Sequence, residues 1–215
     1  MSIVINFQYK NYEINDFDDL NKINKINENF EKYIIFMKGL TGSGKSHIAK
    51  KICDYLNLKI GKSVILSKDD FRYTDSGYVY TPEFEVSVTK KYNAKLKSYL
   101  ISKTIKYIIL DNTHLDIKKY LDTRNVYQKL LNDKKLTELI ICIEPYNDIN
   151  EHTKYNIHNV PIEGVARQFE QYNENKKEIE KLNINSIEIK RNEDKIINEK
   201  KLNLVFSFLN KIFIK

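Results

Sequence analysis

Tryptophan is absent from this chain of 215 residues, and cysteine, proline and glycine are scarce, at two, three and six residues. Two cysteines, Cys53 and Cys142, are too few for a disulfide framework or a cysteine-rich zinc site, and both lie in apolar segments. That usage belongs to a reducing compartment, so a cytoplasmic protein is expected. No apolar run approaches the roughly 20 residues of a membrane helix, and the N-terminus lacks a basic flank with a long apolar core. A membrane partner is therefore not expected.

What is present is the balance of a globular protein, 41% hydrophobic and 30% charged. Asn, Lys and Ile recur, as in residues 21–27, but the apolar periodicity survives, which points to AT-rich coding rather than low complexity. The net charge of +7 suits a partner carrying phosphates. Lysines on solvated faces account for it equally well, so charge alone decides nothing.

Residues 3–30 differ from the rest. Ile3, Ile5, Phe7 and Tyr9 alternate with Val4, Asn6, Gln8 and Lys10, the period of a strand. Lys10 and Asn11 are expected to turn the chain, and a polar helix from about Asp16 would carry Leu20, Ile23, Ile26 and Phe30 on one face. These residues, 1–31, form a small N-terminal extension to a domain over 32–215. In that domain strands are expected over 33–38, 64–67, 108–110, 139–143 and 187–189. Helices are expected over 46–58, 82–102, 116–132, 161–182 and 193–213. Short apolar strands alternating with amphipathic helices predict an α/β fold, a parallel sheet of about five strands covered on both faces. Ligands of such sheets bind at the carboxyl ends of the strands.

The polar motifs fall at those ends. Gly39-Leu40-Thr41-Gly42-Ser43-Gly44-Lys45-Ser46 matches the Walker A pattern in full, with a strand before it and a helix after it. The glycines let backbone N–H groups wrap phosphates, Lys45 reaches the terminal phosphates, and the Ser46 hydroxyl ligates magnesium. Gly39, Thr41, Gly42, Ser43, Gly44, Lys45, Ser46 and His47 are the candidate nucleotide-binding residues, for ATP or GTP with Mg2+. Asp69-Asp70-Phe71-Arg72 follows the second strand, offering a carboxylate to deprotonate an acceptor hydroxyl and a cation to hold a phosphate. The alternative is a helix cap beside a surface arginine. Asp111 ends the third strand as a Walker B acid would, and is the second candidate magnesium ligand beside Ser46. Its alternative is a cap for the helix after Leu115, and His114 is expected to pack rather than catalyse. Tyr73, Tyr78, Tyr80 and Phe84 lie around Arg72, where aromatics can stack on bases of a single strand or simply pack.

Taken together, residues 39–46, Asp69-Asp70-Phe71-Arg72, Tyr80-Thr81-Pro82-Glu83, Asp111-Asn112-Thr113 and His158-Asn159-Val160-Pro161 resemble the polynucleotide kinase group of P-loop phosphotransferases. The resemblance runs over about residues 33–177 and leaves out the N-terminal extension. It implies a P-loop NTPase fold with strand order 2-3-1-4-5. It also implies that Asp69 is the general base for a 5′-hydroxyl, that Arg72 meets the acceptor's 3′-phosphate, and that Asp111 sits near magnesium or the acceptor. One departure is visible. The family's lid carries an arginine where this chain has Tyr155, and tyrosine cannot neutralise phosphate charge as a guanidinium does. Lys154 is adjacent, and Arg167 on the following helix is the candidate to supply that charge.

The expected function is ATP- and magnesium-dependent phosphoryl transfer to a 5′-hydroxyl of RNA or DNA, with Lys45, Asp69, Arg72 and Arg167 as catalytic residues. Two alternatives stand beside it: a kinase of a nucleoside or other small alcohol, and a nucleotide-binding regulatory protein with weakened catalysis. A GTPase is disfavoured, because no Asn-Lys-x-Asp sequence follows the P-loop.

Overall fold

The computed structural model describes residues 3–7, 10–23, 30–59, 62–182, 184–191, 197 and 199–213. The chain opens with an antiparallel hairpin, β1 (Ile3–Phe7) and β2 (Lys10–Ile14). It continues through β3 (Lys32–Lys38), α1 (Lys45–Lys59), β4 (Lys62–Leu66), a small ribbon of β5 (Tyr73–Thr74) and β6 (Gly77–Tyr78), and α2 (Pro82–Ile101). Then come β7 (Ile105–Asp111), α3 (Ile117–Asn125), α4 (Gln128–Asn132), β8 (Leu136–Ile143), α5 (Ile149–Lys154), α6 (Ile162–Glu180), β9 (Asn185–Ile189) and α7 (Glu199–Phe213).

The main sheet runs β2-β1-β9-β8-β3-β7-β4. Its five parallel strands, counted along the chain from β3, stand in the order 2-3-1-4-5, as the resemblance implied. Among the described residues the sheet has seven strands rather than five, because the hairpin adds antiparallel to β9, with Ile3 opposite Ile189 and Ile5 opposite Ile187. The turn is also displaced from its expected place. Phe7 pairs with Lys10 and Asn6 with Asn11, so both residues assigned to the turn lie in a strand. The expected polar helix appears as a 3₁₀ turn over Asp19–Lys22 with Leu20 and Ile23 buried. Ile26 and Tyr9 lie outside the described residues.

Burial follows from position in the sheet. All seven residues of β3 are buried, as a central parallel strand covered on both faces requires. Tyr33, Ile35 and Met37 face a core shared with Ile48 and Ile52 of α1 and Val205 and Phe208 of α7. Ile34 and Phe36 face the opposite core, against Tyr92 and Leu96 of α2 and Tyr120 of α3. The hairpin's Ile3, Ile5 and Phe7 join the first core, where the Phe7 and Phe208 rings meet edge-on at 5.5 Å. The helix expected over 116–132 is broken into α3 and α4. Tyr127 leaves helical geometry there, and its hydroxyl donates to the buried Glu138 at 2.6 Å while Arg124 holds the same carboxylate.

Truncating Phe208 removes a ring that meets the hairpin's Phe7 within the core shared with α1. Phe208→Ala is expected to lower unfolding stability by about 3–5 kcal/mol, read as a fall in the urea midpoint.

Candidate active site

Every parallel strand ends at the same edge of the sheet, and each delivers a polar segment there. The loop after β3 turns through Gly42 (φ 73°) and Gly44 (φ 86°), left-handed conformations that glycine adopts without strain. At Gly42 space is limiting as well, since a Cβ would lie 2.1 Å from the carbonyl oxygen of His152. Helix α1 starts at Lys45, so its first N–H groups have no intrahelical acceptor and face the loop's interior.

Lys45 is buried, and its Nζ donates to the Leu40 carbonyl at 2.8 Å. Burial pulls its pKa down, opposed by the charges of Asp111 and Asp69. Asp111, the last residue of β7, is buried too. Burial pushes its carboxyl up, while a hydrogen bond from Ser46 and the charge of Lys45 hold it down. Its Oδ1 is buried without a hydrogen-bond partner. A hydroxyl and a carboxylate with one unsatisfied oxygen, beside the glycine-rich loop, suit a hard cation such as Mg2+. No group of three or more His, Cys, Asp or Glu ligands assembles among the described residues. Magnesium would therefore take the rest of its shell from phosphate and water, as it commonly does. Asp111 is not a helix cap; Asp116 caps α3, accepting from the Lys119 N–H at 3.1 Å.

Beyond β4, a 3₁₀ turn over Asp69–Phe71 carries the acidic pair. Neither aspartate caps it. Asp69 instead gathers a cluster: its Oδ1 accepts from Arg72 and from the Tyr78 hydroxyl at 2.8 Å, and its Oδ2 lies 3.3 Å from His158 Nε2. Glu85 of α2 grips the same Arg72 through two hydrogen bonds, 2.6 and 2.8 Å. Burial works against the Arg72 charge, yet Glu85, Tyr78 and Asp69 together raise its pKa. The β5–β6 ribbon exists to bring Tyr78 here. Tyr78 stacks on His158 at 4.8 Å, and Tyr80 lies under the Arg72 guanidinium at 4.9 Å. Tyr73 and Tyr80 remain more than half exposed, while Phe84 is half-buried.

The segment between α5 and α6, residues 155–161, arches from the P-loop to Asp69. Tyr155 is exposed and stacks on Tyr146 at 6.0 Å, and Lys154 pairs with Glu151 at 2.7 Å. Arg167 is exposed, and its Nε reaches the carbonyl of Glu163 one turn back on α6 rather than the P-loop. An α6 side chain that hydrogen-bonds the loop is its neighbour Gln168, whose Oε1 accepts the Thr41 N–H at 2.8 Å. Arg191, just past β9, donates to the Ser43 carbonyl and lies 3.7 Å over the Tyr146 ring. His152 is fully buried, donating from Nδ1 to the Thr41 carbonyl and accepting the Tyr146 N–H at Nε2, both at 3.0 Å. Ser43 is buried, whereas Gly44, Ser46 and His47 are exposed. Gln168, Arg191 and His152 escape sequence reading because each is a single residue more than a hundred positions from the motif it serves.

The family model described as Zeta toxin matches residues 18–109. Among solved structures, a chain of the Pnkp1/Rnl/Hen1 RNA repair complex aligns at 20% identity with a TM-score of 0.55, covering 71% of this chain and 47% of that one. A gluconokinase from Sinorhizobium meliloti 1021 aligns at 14% identity with a TM-score of 0.45, covering 83% and 94%. An APS kinase, CysC of Mycobacterium tuberculosis in complex with AMPPNP and APS, aligns at 15% with a TM-score of 0.40, covering 52% and 63%. This chain spans about half the length of the repair-complex chain, and that likeness shows the fold, the α/β fold of P-loop kinases. No helix among the described residues is long and apolar enough to cross a membrane.

Two histidines set a pH dependence. Burial pulls His114 down to about 4, against its bond to the Met37 carbonyl, and burial likewise takes His152 to about 4. Between pH 6.5 and 4 the unfolded chain binds protons at these positions while the folded chain does not. Their stabilisation is thus complete above about pH 6.5 and lost as pH falls toward 4. The melting temperature is expected to decline below pH 6.5, and His114→Asn, which keeps a donor for Met37, should flatten the decline.

Proposed function

We propose that this P-loop kinase-like chain transfers the terminal phosphoryl group of ATP, with magnesium, to the 5′-hydroxyl of RNA or DNA. The observation that carries the reading is the position of Asp69. Its charge acts on Lys45 and Asp111 of the triphosphate side, and its oxygens belong to the cluster of Arg72, Tyr78 and His158 on the other. That position supports Asp69 as the group that would meet both donor and acceptor. Oδ1 is held by two donors, so Oδ2, which among the described residues meets His158, is the oxygen open to an incoming hydroxyl.

In the proposed reaction the acceptor oxygen attacks the terminal phosphorus, the bond to the bridging oxygen of the β-phosphate breaks, and the acceptor's proton passes to Asp69. ADP leaves. Lys45 and the N–H groups opening α1 hold the terminal phosphates, so catalysis is mostly positioning and charge neutralisation. Ser46 and Asp111 would hold Mg2+, whose positive charge would offset that of the phosphates. Arg72 and the exposed Tyr73 and Tyr80 support a nucleic-acid acceptor, the cation for a phosphate and the rings for bases. One observation favours a second reading, a small alcohol without phosphate: Arg72 is already paired with both Asp69 and Glu85.

Incubation with labelled ATP and a panel of 5′-hydroxyl RNA, 5′-hydroxyl DNA, 3′-nucleotides and nucleosides separates the two. The expected result is label on the oligonucleotides, and label confined to nucleosides would select the second reading. Lys45→Ala is expected to abolish transfer with the fold intact. Asp69→Asn should lower the rate by about 10²–10⁴-fold while leaving ATP affinity nearly unchanged. Full turnover in Lys45→Ala would remove the reading, and a large loss in Asp70→Asn alone would reassign the base.

A further inference from the structure

We propose that His152 and Gln168, with Arg191, are positioning residues that aim the P-loop's N–H groups at the triphosphate from the loop's outer side. The inference rests on the reading of this loop as the triphosphate site. In a trans peptide the C=O of one residue and the N–H of the next point opposite ways. A donor placed behind a loop carbonyl therefore turns the following N–H inward. His152 Nδ1 donates to the Thr41 carbonyl at 3.0 Å, which sets the Gly42 N–H. Arg191 Nη2 donates to the Ser43 carbonyl, which sets the Gly44 N–H. The alternate groups are removed from competition. The Thr41 N–H goes to Gln168 Oε1 at 2.8 Å, and the Ser43 N–H to the Leu40 carbonyl at 3.1 Å.

The braces are themselves held. Tyr146 donates its backbone N–H to His152 Nε2, so the ring is the neutral tautomer with its proton on Nδ1. Arg191 also donates from Nε to the Glu144 carbonyl at 2.7 Å, beneath the Tyr146 ring. The α5 backbone presses against Gly42 where any Cβ would collide with His152. His152 ends the buried part of α5 and Gln168 stands on α6, the two helices that flank residues 155–161. His158, in that span, meets Asp69 at 3.3 Å. The braces thus link the loop that grips the donor to the segment that covers the proposed base.

The test is calorimetric binding of ATP with magnesium to the full chain and to His152→Leu, His152→Asn and Gln168→Leu. His152→Leu and Gln168→Leu should each weaken binding about tenfold, the scale of one lost hydrogen bond to a buried group. His152→Asn keeps an N–H for the Thr41 carbonyl but loses ring packing. It should recover most of the affinity while remaining less stable to urea than the parent chain, a split that a purely structural role would not produce. Gln168 is half-buried, so its variant keeps the test open if His152→Leu does not fold. Parental affinity in both leucine variants, or equal weakness of His152→Asn and His152→Leu, would overturn the inference. Failure of the parent chain to bind ATP would instead overturn the functional reading on which it rests.

Discussion

The pairing of β3 with a parallel strand on each side, β7 and β8, is the constraint on which the rest depends. Met37 lies opposite both Asp111 and Ile141, and Lys38 opposite Cys142. That register puts Met37 level with the carboxylate ending β7, and Gly39, two residues on, donates its N–H to the Thr113 carbonyl at 3.1 Å beside the segment leaving β8. The loop, its candidate metal ligand and the start of α5 are therefore neighbours before any side chain has chosen a partner. Had β3 been an edge strand, one of those neighbours would be missing. Burial of all seven β3 residues leaves a shift of register without an acceptable alternative, since a one-residue slip would exchange the two apolar faces.

Electrostatics at the edge are arranged in opposing pairs. Lys45 and Asp111 are both buried, and burial drives each toward its neutral form while each holds the other charged. Phosphate and magnesium would meet two groups already desolvated and already close, so little reorganisation is needed on binding. Beyond β4, Arg72 lies between Asp69 and Glu85, which fixes its guanidinium at the cost of satisfying its charge from within. Any anion reaching Arg72 would have to compete with Glu85 for that cation.

What was legible in the sequence was whatever is contiguous or periodic. The loop at 39–46 is one contiguous stretch between a strand and a helix, and the five parallel strands declare themselves as apolar runs. Asp111 is readable because an acid at the end of such a run has few other uses. The hairpin was readable as strand but not as part of the main sheet, because alternation in Ile3, Ile5 and Phe7 reports a buried face and not which neighbour buries it. Helix α5, six residues long, carries too little periodicity to register. Arg167 was singled out by its charge, whereas the residue that bonds to the Thr41 N–H is its neutral neighbour Gln168, which no charge marks in the sequence. Only the rotation of α6 decides which of the two meets Thr41.

The central claim is that this edge of the sheet is a triphosphate site completed by magnesium. Ligand that binds only the folded chain raises its stability by RT ln(1 + [L]/Kd), about 2.7 kcal/mol at a hundredfold excess over Kd. The direct measurement is therefore the melting temperature with ATP and magnesium together, with ATP alone, and with AMP and magnesium. The account predicts a clear rise for the first, a smaller one for the second and almost none for the third. An unchanged melting temperature in all three, at millimolar nucleotide, would contradict it.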